Sequence, residues 1–428
     1  MTNTRIPAEI AETIIDPKAF ADDTRINDAF SFLRREIPLG IAEPKGFDPF
    51  WVVSKFDDIK EVEQKGDIFI CDKRSVTLTN IEADKYVREL MGGSPHLVRS
   101  LVQMDNPDHH KYRILTQAWF MPQNIKKLEG RFREIARTFV ERMAEYKGEC
   151  DFARDIALFY PLHVIMEILG VPEADEPKML KLTQELFSPS DPEFSREAGG
   201  KESVEAQLAL MMETVEEFNT YFTAMTDDRR KSPRDDLASL IANGKIDDAP
   251  LGYLEAMSYY IIAATAGHDT TSNTVAGGMW ALCEDPESFQ KLKAEPSLIP
   301  AFIEESIRWV TPVKHFMRTA TQDYKLRGQT IKKGDWLYLA YPSGNRDEDI
   351  FDEPFRFNME RTPNKHVSMG FGRHVCLGQH LARMEMRIFW EELLPRLEKV
   401  ELSGTPLITE ANFVSGPKSV PIRFVMRG

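Results

Sequence analysis

A glycine-rich turn near the C-terminus carries the residue with the most distinctive chemistry, Cys376. Three glycines, Gly370, Gly372 and Gly378, lie within nine residues there, and this predicts a tightly bent backbone. An amphipathic helix is predicted over 377–394, so Cys376 would lie at a helix N-terminus, where the macrodipole and free N–H groups favour a thiolate. A stabilised thiolate in such a turn suits the ligation of a soft or redox-active metal.

Two other roles for Cys376 are weighed against metal ligation. Arg373 and His374 could add positive charge beside it, and a Cys–His pair is the arrangement of a nucleophilic enzyme. A buried structural cysteine is the ordinary role of a lone cysteine, but it explains neither the glycines nor the helix start. The Gly370-x-Gly372 pair is not a dinucleotide-binding fingerprint, because a third glycine and a strand followed by a ribose-binding acid are missing.

A second group of polar residues, 266–271 (Ala-Gly-His-Asp-Thr-Thr), lies in the middle of a long helix predicted from Pro250 to Cys283. Glycine and several polar residues in a buried helix conflict with local propensity. Threonine hydroxyls there can bond to the carbonyl four residues earlier and loosen the helix. Ile262, Ala266 and Thr270 share one face. Small residues on or beside that face leave room for a ligand, or else allow a second helix to pack closely.

The elements that must position these two groups are mostly helical. Helical periodicity is clearest over 124–146, 204–226, 250–283, 297–309 and 377–394. Short strands are predicted at Phe50–Ser54, Lys325–Arg327, Trp336–Ala340 and Pro421–Val425. No Gly/Ser-rich linker divides the chain, so we expect a mainly α single domain over residues 1–428 with a minor β region. Within it, 1–20 form an N-terminal segment and the polar stretch 188–203 a mobile surface loop.

Composition narrows the function classes. Lys and Arg number 54 and Asp and Glu 68, which gives a net charge of −14 and argues against nucleic-acid or anionic-membrane binding. Mean hydropathy is −0.37, and the sequence has no apolar run long enough for a membrane span. The four cysteines have no CxxC spacing, which argues against a disulfide framework or a zinc cluster. The N-terminus lacks a secretion signal. These features predict a cytoplasmic enzyme.

Three motifs together resemble those of the cytochrome P-450 family. Residues 369–378 are similar to its haem-binding loop, Phe-Gly-x-Gly-x-His/Arg-x-Cys-x-Gly, except that Met369 replaces the phenylalanine. Residues 266–271 resemble its oxygen-activating motif, (Ala/Gly)-Gly-x-Asp-Thr-Thr. Residues 305–308 match Glu-x-x-Arg, with Arg361 where a third member of that ion network is expected. Within the family, ATAGHDTT, GQHLARMEM and GPKSVPIRF resemble the bacterial terpineol-hydroxylating type.

The resemblance covers essentially the whole chain and implies the triangular P-450 fold with haem b, iron protoporphyrin IX. Cys376 would be the axial iron ligand, whose thiolate favours O–O cleavage. Glu305, Arg308 and Arg361 would form a structural ion network. The other residues implied in haem binding are His109, Arg113, Arg318, His374, Phe371 and Gly378.

The resemblance also implies an acid–alcohol pair, Asp269 and Thr270. Two protons must reach dioxygen before its O–O bond breaks, and a hydroxyl with a relaying carboxylate can deliver them. Electrons must come from outside, because no flavin or ferredoxin extension follows Gly428. We therefore expect a separate iron–sulfur ferredoxin and its reductase, fed by NAD(P)H. A basic patch of Arg113, Arg373, Arg383 and Arg387 could dock an acidic partner.

The substrate pocket implied by the resemblance is mostly apolar. Residues 79–101 and the 188–203 loop would form its lid, while Lys314 and His315 could point outward. A monoterpene or alkyl-aromatic such as terpineol, limonene or p-cymene is expected, held largely by shape. A fatty acid, a steroid, a macrolide or a polycyclic aromatic remains an alternative substrate, and a haem-thiolate sensor or ligand carrier is a non-catalytic alternative. The pocket residues are Ile262, Ala266, Val313, Phe316, Met317, Phe413 and Val414.

Overall fold

Helices dominate the computed structural model, which describes residues 4–187, 190–194 and 204–427. In the first half of the chain they are α1 (Ala8–Thr13), α2 (Asp23–Glu36), α3 (Phe56–Gln64), α4 (Ile81–Leu90), α5 (Asp108–Gln117), α6 (Pro122–Ile125), α7 (Glu129–Glu145), α8 (Phe159–Leu169), α9 (Glu176–Phe187) and α10 (Val204–Lys231). In the second half they are α11 (Leu237–Ala242), α12 (Tyr253–Ala266), α13 (Asp269–Glu284), α14 (Pro286–Ala294), α15 (Ile299–Val310), α16 (Tyr341–Gly344) and α17 (Gln379–Leu393). The predicted mainly α class is confirmed.

The strands are short and form a minor part of the fold. They are β1 (Leu39–Ala42), β2 (Phe50–Val53), β3 (Phe69–Ile70), β4 (Glu149–Asp151), β5 (Lys245–Ile246), β6 (Ala249–Pro250), β7 (His315–Ala320), β8 (Tyr324–Leu326), β9 (Gln329–Ile331), β10 (Trp336–Ala340), β11 (Leu397–Leu402), β12 (Leu407–Ile408), β13 (Pro417–Ser419) and β14 (Pro421–Met426). The largest sheet has the order β1-β2-β10-β7-β3. Only the β2–β10 pairing in it is parallel.

The alternation of side chains along β7 corrects one pocket prediction. Met317 is fully buried in an apolar cluster that includes Phe50, Trp336 and Tyr338. Phe316 packs against a different cluster on the other face of the sheet. Because successive strand residues point to opposite faces, Met317 faces away from the side that carries Phe316. It is a core residue, and its assignment to the pocket is wrong.

The predicted helix over 250–283 is two helices rather than one. Pro250 lies in β6, where it pairs with Lys245, so the prediction that it begins a helix is wrong. A turn at Gly267 and His268 separates α12 from α13. A Cβ at Gly267 would lie 2.7 Å from the Ile165 side chain, so glycine is needed for α8 to pack this closely. Close helix packing therefore explains Gly267, while Ala266 lies on the open side of α12 and is exposed.

The segments predicted as a lid are only partly described. Residues 81–90 form α4, whose Ala83 and Val87 pack against Leu208 of α10. Of the predicted loop 188–203, residues 188–189 and 195–203 lie outside the described residues. In the described part, Asp191 is fully buried and accepts hydrogen bonds from Lys418 at 2.8 and 2.9 Å. Residues 190–194 are thus fastened to β13. No helix among the described residues is long and apolar enough to cross a membrane.

Candidate active site

The Cys376 turn has the bent backbone that its glycines predict. Gly372 has φ +66°, and a Cβ there would lie 2.6 Å from the Glu63 carbonyl oxygen, so only glycine fits. The Cys376 N–H donates to the Met369 carbonyl at 2.8 Å. The N–H groups of Gly378 and Gln379 donate to the thiol as α17 begins.

The Cys376 thiol is more basic than the sequence argument predicts. Burial raises its pKa, although the two N–H donors and the guanidinium groups of Arg113 and Arg383 act in the opposite direction. The residue is nevertheless exposed, unlike the other three cysteines, which are buried. Because a metal cation displaces the thiol proton when it coordinates sulfur, this environment suits a ligand that is ionised by its metal.

Four predicted cationic residues gather on one side of the turn. The rings of His109 and His374 lie 4.2 Å apart between centroids, and Arg113 donates to the Val375 carbonyl at 2.9 Å. Burial lowers the pKa of His109 to about 4 and that of His374 to about 2, and neighbouring guanidinium groups, including Arg113, lower both further. Arg318 contributes to the same effect on His374. The two imidazoles are therefore neutral near pH 7, and the positive charge of Arg113 and Arg318 is what favours an anionic ligand here.

Two further observations test whether haem fits these residues. A Cβ added to Gly378 would meet no atom within 4 Å, so protein packing does not require glycine there, whereas close approach of a flat ligand does. The Nε2 atom of His109 is buried without a hydrogen-bond partner among the described residues. A thiol, an open glycine, two guanidinium groups and two imidazoles together match a porphyrin that carries an iron and two carboxylates. The donor set therefore fits haem.

Glu63 belongs to this region, although sequence reasoning did not find it. Its carboxylate lies 3.7 Å from Arg318 and accepts hydrogen bonds from Tyr341 at 2.6 Å and from the Phe371 N–H at 2.8 Å. Burial raises its pKa. No local motif marks this glutamate, because its partners lie more than 250 residues away. Its contact holds the backbone of the Cys376 turn against α3.

Asp269 and Thr270 lie at the start of α13, directly after the break. The Thr270 hydroxyl donates to the Ala266 carbonyl at 3.1 Å, as the sequence argument anticipates for a loosened helix. Asp269 is 13% exposed and its carboxylate lies 2.8 Å from Nε2 of the fully buried His268. Consecutive residues point about 100° apart on a helix. The carboxylate and the hydroxyl thus reach toward different sides of α13.

Thr271, the next residue, has a different partner from Thr270. Its hydroxyl donates to the buried carboxyl group of Glu385 on α17 at 3.0 Å. Burial raises the pKa of Glu385 well above its ordinary value. Tyr160 donates to the backbone carbonyl of the same residue at 2.8 Å. Sequence reasoning missed Glu385, since a lone glutamate in an amphipathic helix is normally exposed.

The remaining predicted pocket residues come from separate parts of the chain. Val313 and Val414 pair through an isolated antiparallel bridge, and the rings of Phe316 and Phe413 lie 5.5 Å apart. Ile262 is partly exposed on the same face of α12 as Ala266. All of these predicted residues have apolar side chains, and these contacts join residues 313–316 to residues 413–414.

Lys314 and His315, expected to point outward, are both buried. Lys314 donates to the carbonyl of Val310, the last residue of α15, at 2.9 Å, and burial lowers its pKa to about 7. His315 links two segments: its Nε2 accepts from the Leu78 N–H at 2.9 Å and its Nδ1 lies 2.8 Å from the Asn412 carbonyl. Both side chains are thus buried and bonded to protein partners.

Glu305, Arg308 and Arg361 meet in one buried ion network. Arg308 donates to both carboxylate oxygens of Glu305, at 2.7 and 2.8 Å, and Arg361 approaches to 3.3 Å. Arg308 also donates to the carbonyls of Asn345 and Pro354, at 2.8 and 2.9 Å. The network ties α15 to the chain that leads into the Cys376 turn.

The predicted basic patch is not a set of free cations. Arg373 pairs with Asp67 at 2.9 Å, Arg383 with Glu304 at 2.5 Å, and Arg387 with Glu129 at 2.9 Å. Arg113 turns inward to the Val375 carbonyl. Intramolecular carboxylates therefore offset three of the four charges of the predicted patch.

Comparison with known proteins agrees with this architecture. The family model described as cytochrome P-450 matches residues 49–424. Cytochrome P-450-terp of a Pseudomonas species is 47% identical, over 98% of this chain and 98% of its own length. A methyl-branched lipid omega-hydroxylase of Mycobacterium tuberculosis is 30% identical, over 97% of this chain and 94% of the relative. The crystal structure of CYP108D1 from Novosphingobium aromaticivorans has a TM-score of 0.91 at 42% identity, and covers 99% of this chain and 100% of that one.

Proposed function

This chain belongs to the cytochrome P-450 family of oxygen-dependent, haem-iron hydroxylases, and we propose that it hydroxylates a compact apolar molecule of the monoterpene or alkyl-aromatic type. The reaction is R–H + O2 + 2 e⁻ + 2 H⁺ → R–OH + H2O, so one oxygen atom enters the C–H bond and both protons leave in water. The observation that carries the proposal is the Asp269–Thr270 pair at the break between α12 and α13.

The chain's own residues bind and orient the haem. Cys376 would ligate the iron, and Arg113, Arg318, His109 and His374 would hold the carboxylates. The haem iron, when bound, supplies the activation of dioxygen. Gly378 leaves space for the ring.

Proton delivery falls to α13. The Thr270 hydroxyl, already directed along the loosened helix, would hold a proton beside dioxygen. The Asp269 carboxylate, which lies 2.8 Å from the His268 ring, would pass protons to it from the neighbouring side of α13. A sensor or ligand carrier has no use for such a pair, and this disfavours the non-catalytic alternative.

The substrate proposal rests on the apolar character of the pocket and on the absence of a free cation in the described lid segment. Within 79–101, Lys85 lies 3.9 Å from Glu89, Arg88 pairs with Asp84 at 2.7 Å, and Arg99 bonds Asp108 and Glu255. Burial lowers the pKa of His96 to about 4, so it is neutral near pH 7. A fatty acid would find no unpaired positive group there. Burying a terpenoid is favourable at roughly 25 cal/mol per Å² of apolar surface.

We propose that a separate iron–sulfur ferredoxin and its reductase, using NAD(P)H, supply the electrons to this single haem domain in the cytoplasm. A groove of about 430 Å³ near α17 is lined by Lys126, His380, Arg383 and Arg387. An acidic ferredoxin docking there would compete with Glu304 and Glu129 for the two arginines. The rate of ferredoxin-dependent reduction should therefore fall as ionic strength rises.

A substrate panel tests the proposal. Each compound is titrated into the ferric holoenzyme while the haem spin state is followed, and product is then measured under isotopically labelled dioxygen. We expect p-cymene, limonene or terpineol to give a large high-spin shift and a labelled alcohol, and dodecanoate to give a smaller shift. The proposed substrate class would be contradicted if no monoterpenoid shifted the spin state while dodecanoate, a steroid or a polycyclic aromatic gave a full shift. Product without the label would contradict oxygen insertion.

Two variants test the residue roles. Thr270→Ala should keep the spin-state shift and oxygen uptake but divert reducing equivalents to peroxide, because the proton beside dioxygen is no longer held. Asp269→Asn should slow turnover, because the relay has lost its acid. Unchanged product per electron and unchanged rate in both variants would remove the acid–alcohol assignment.

A further inference from the structure

A cleft of about 250 Å³ reaches Asp269 from the outside of the fold, and its lining is mixed, with Leu158, Phe194 and Val414 beside polar side chains. Its wall includes Ser272 and Asn273 on α13 and Gln184 on α9. Arg154, Glu193 and Lys418 also line it. The cleft therefore joins a partly buried carboxylate to a charged patch.

The ion pairs of this cleft differ in exposure, from half-exposed at Arg154 and Glu193 to buried at Asp191. Arg154 and Glu193 form an ion pair with contacts of 2.8 and 2.9 Å, and their side chains are 47% and 42% exposed. Lys418, 10% exposed, pairs with the fully buried Asp191 at 2.8 Å and lies 3.9 Å from Glu193. The charged groups at the mouth thus come from three elements: the π-helix Ala153–Ala157, residues 190–194 and β13.

The polar side of this cleft, with ion pairs at its mouth, favours water over an apolar substrate. A space with several polar partners holds ordered waters, whereas an apolar molecule would have to pass ion pairs at the mouth without compensation. Thr270 cannot obtain its protons from an apolar pocket. Asp269, on the neighbouring side of α13, lines the cleft directly.

We infer that this cleft is the inlet through which solvent protons reach Asp269, and that Glu193 is the acid that loads it. The inference rests on the proposed function, since it names the source of the protons that Asp269 passes on. Glu193 takes up a proton from bulk water, and the proton then moves through waters in the cleft to the Asp269 carboxylate. The same transfer occurs a second time, because each hydroxylated product requires two protons. No bond other than O–H is made or broken along the route. Arg154 and Lys418 are positioning residues, because they fix the Glu193 carboxylate at the mouth.

The first test is structural and does not depend on turnover. A high-resolution crystal structure of the ferric holoenzyme should show ordered waters hydrogen-bonded from Glu193 to Asp269. A cleft filled by side chains, with no water between these two carboxylates, would overturn the inference.

The second test compares three variants of the holoenzyme. Glu193→Gln keeps the shape of the side chain but cannot carry the proton, so product formation should fall by on the order of tenfold, and the solvent isotope effect should rise. Glu193→Asp restores the acid and should stay within about twofold of the parent. Glu167→Gln is the matched control, because Glu167 forms a similar exposed pair with Arg131 at 3.0 and 3.3 Å away from the cleft.

The outcomes separate this inference from the proposed function. If Asp269→Asn slows turnover while Glu193→Gln behaves like Glu167→Gln, the inlet assignment fails and the acid–alcohol pair stands. If Asp269→Asn has no effect, the proposed relay itself fails. If Glu193→Gln changes only the substrate concentration that gives a half-maximal spin shift, the Arg154–Glu193 ion pair affects substrate binding and not proton supply. That result would overturn the inference.

Discussion

The hydroxyl of Thr271 donates to the carboxyl group of Glu385 at 3.0 Å, and this contact joins the helix that carries the proposed proton relay to the helix that follows the cysteine turn. The hydroxyl of Thr270, one residue earlier, donates across the break to the carbonyl of Ala266, the last residue of α12. The two adjacent threonines therefore have different partners, and under the proposed function we expect their roles to be separable, one structural and one chemical.

Thr271→Val should lower stability without uncoupling the enzyme. The substitution leaves a buried carboxyl group without its hydroxyl partner, which costs about 1–3 kcal/mol. Denaturant unfolding of the holoenzyme measures the loss, and peroxide release per electron measures coupling. Thr270→Ala serves as the comparison, with the reverse pattern expected. Peroxide release that rises equally in both variants would show that the two threonines are not separable.

Glu385→Gln should stabilise the protein increasingly as the pH rises. Burial raises the Glu385 pKa, so the folded state keeps a proton that the unfolded chain releases above roughly pH 4.3. Below that pH both states are protonated and the parent keeps its full stability. Above it the parent's free energy of unfolding falls by up to about 1.4 kcal/mol per pH unit, until the folded pKa is reached. The neutral glutamine avoids this loss.

Urea unfolding of the parent and of Glu385→Gln between about pH 5 and pH 8 checks this sign. Glu353→Gln is a suitable control, because Glu353 is exposed in its pair with Arg356. A stability difference between parent and Glu385→Gln that does not vary with pH would mean that Glu385 is ionised in the folded protein.

Arg308→Met should be strongly destabilising. Arg308 is fully buried, and its removal takes away the bidentate partner of the buried Glu305 charge and leaves Arg361, at 3.3 Å, as the neighbouring cation. We expect a cost of about 3–5 kcal/mol. Arg356→Met, at an exposed pair 3.2 Å long, should cost no more than about 1 kcal/mol. Equal losses in the two variants, read from denaturant midpoints, would contradict a buried structural network.

Met369→Phe should retain haem and change the reduction potential only modestly. Met369 is partly buried against the main apolar cluster, and a flexible thioether can fill the space that the family gives to phenylalanine. Haem content per protein and a redox titration check the result. Loss of haem would indicate that packing beneath this turn differs from that in relatives with phenylalanine.

Local patterns in the sequence predict the elements of the site better than their surroundings. The Cys376 turn is encoded in nine consecutive residues, and the helix that follows needs only its apolar periodicity. The break at Gly267 is not visible locally, because it depends on Ile165, a hundred residues earlier. Met317 is misassigned because proximity along the chain to Arg318 says nothing about which face of β7 it occupies.

Long-range contacts explain the rest of what the sequence does not reveal. The cleft at Asp269 brings together Arg154, Glu193 and Lys418, which share no motif. The paired state of Arg383 and Arg387 depends on Glu304 and Glu129, which lie on other helices. The sequence alone therefore overestimates the free positive charge near α17, because it does not show which carboxylates lie beside Arg383 and Arg387.

The absorption spectrum of the reduced, CO-bound protein tests the central claim most directly, by comparing the parent with Cys376→His. The parent should show the red-shifted band that gives the family its name, because a thiolate ligates the iron. Cys376→His should lose that band and its turnover while any haem it retains absorbs like a histidine-ligated haem. A variant that keeps both the red-shifted band and product formation would contradict the assignment of Cys376 as the iron ligand.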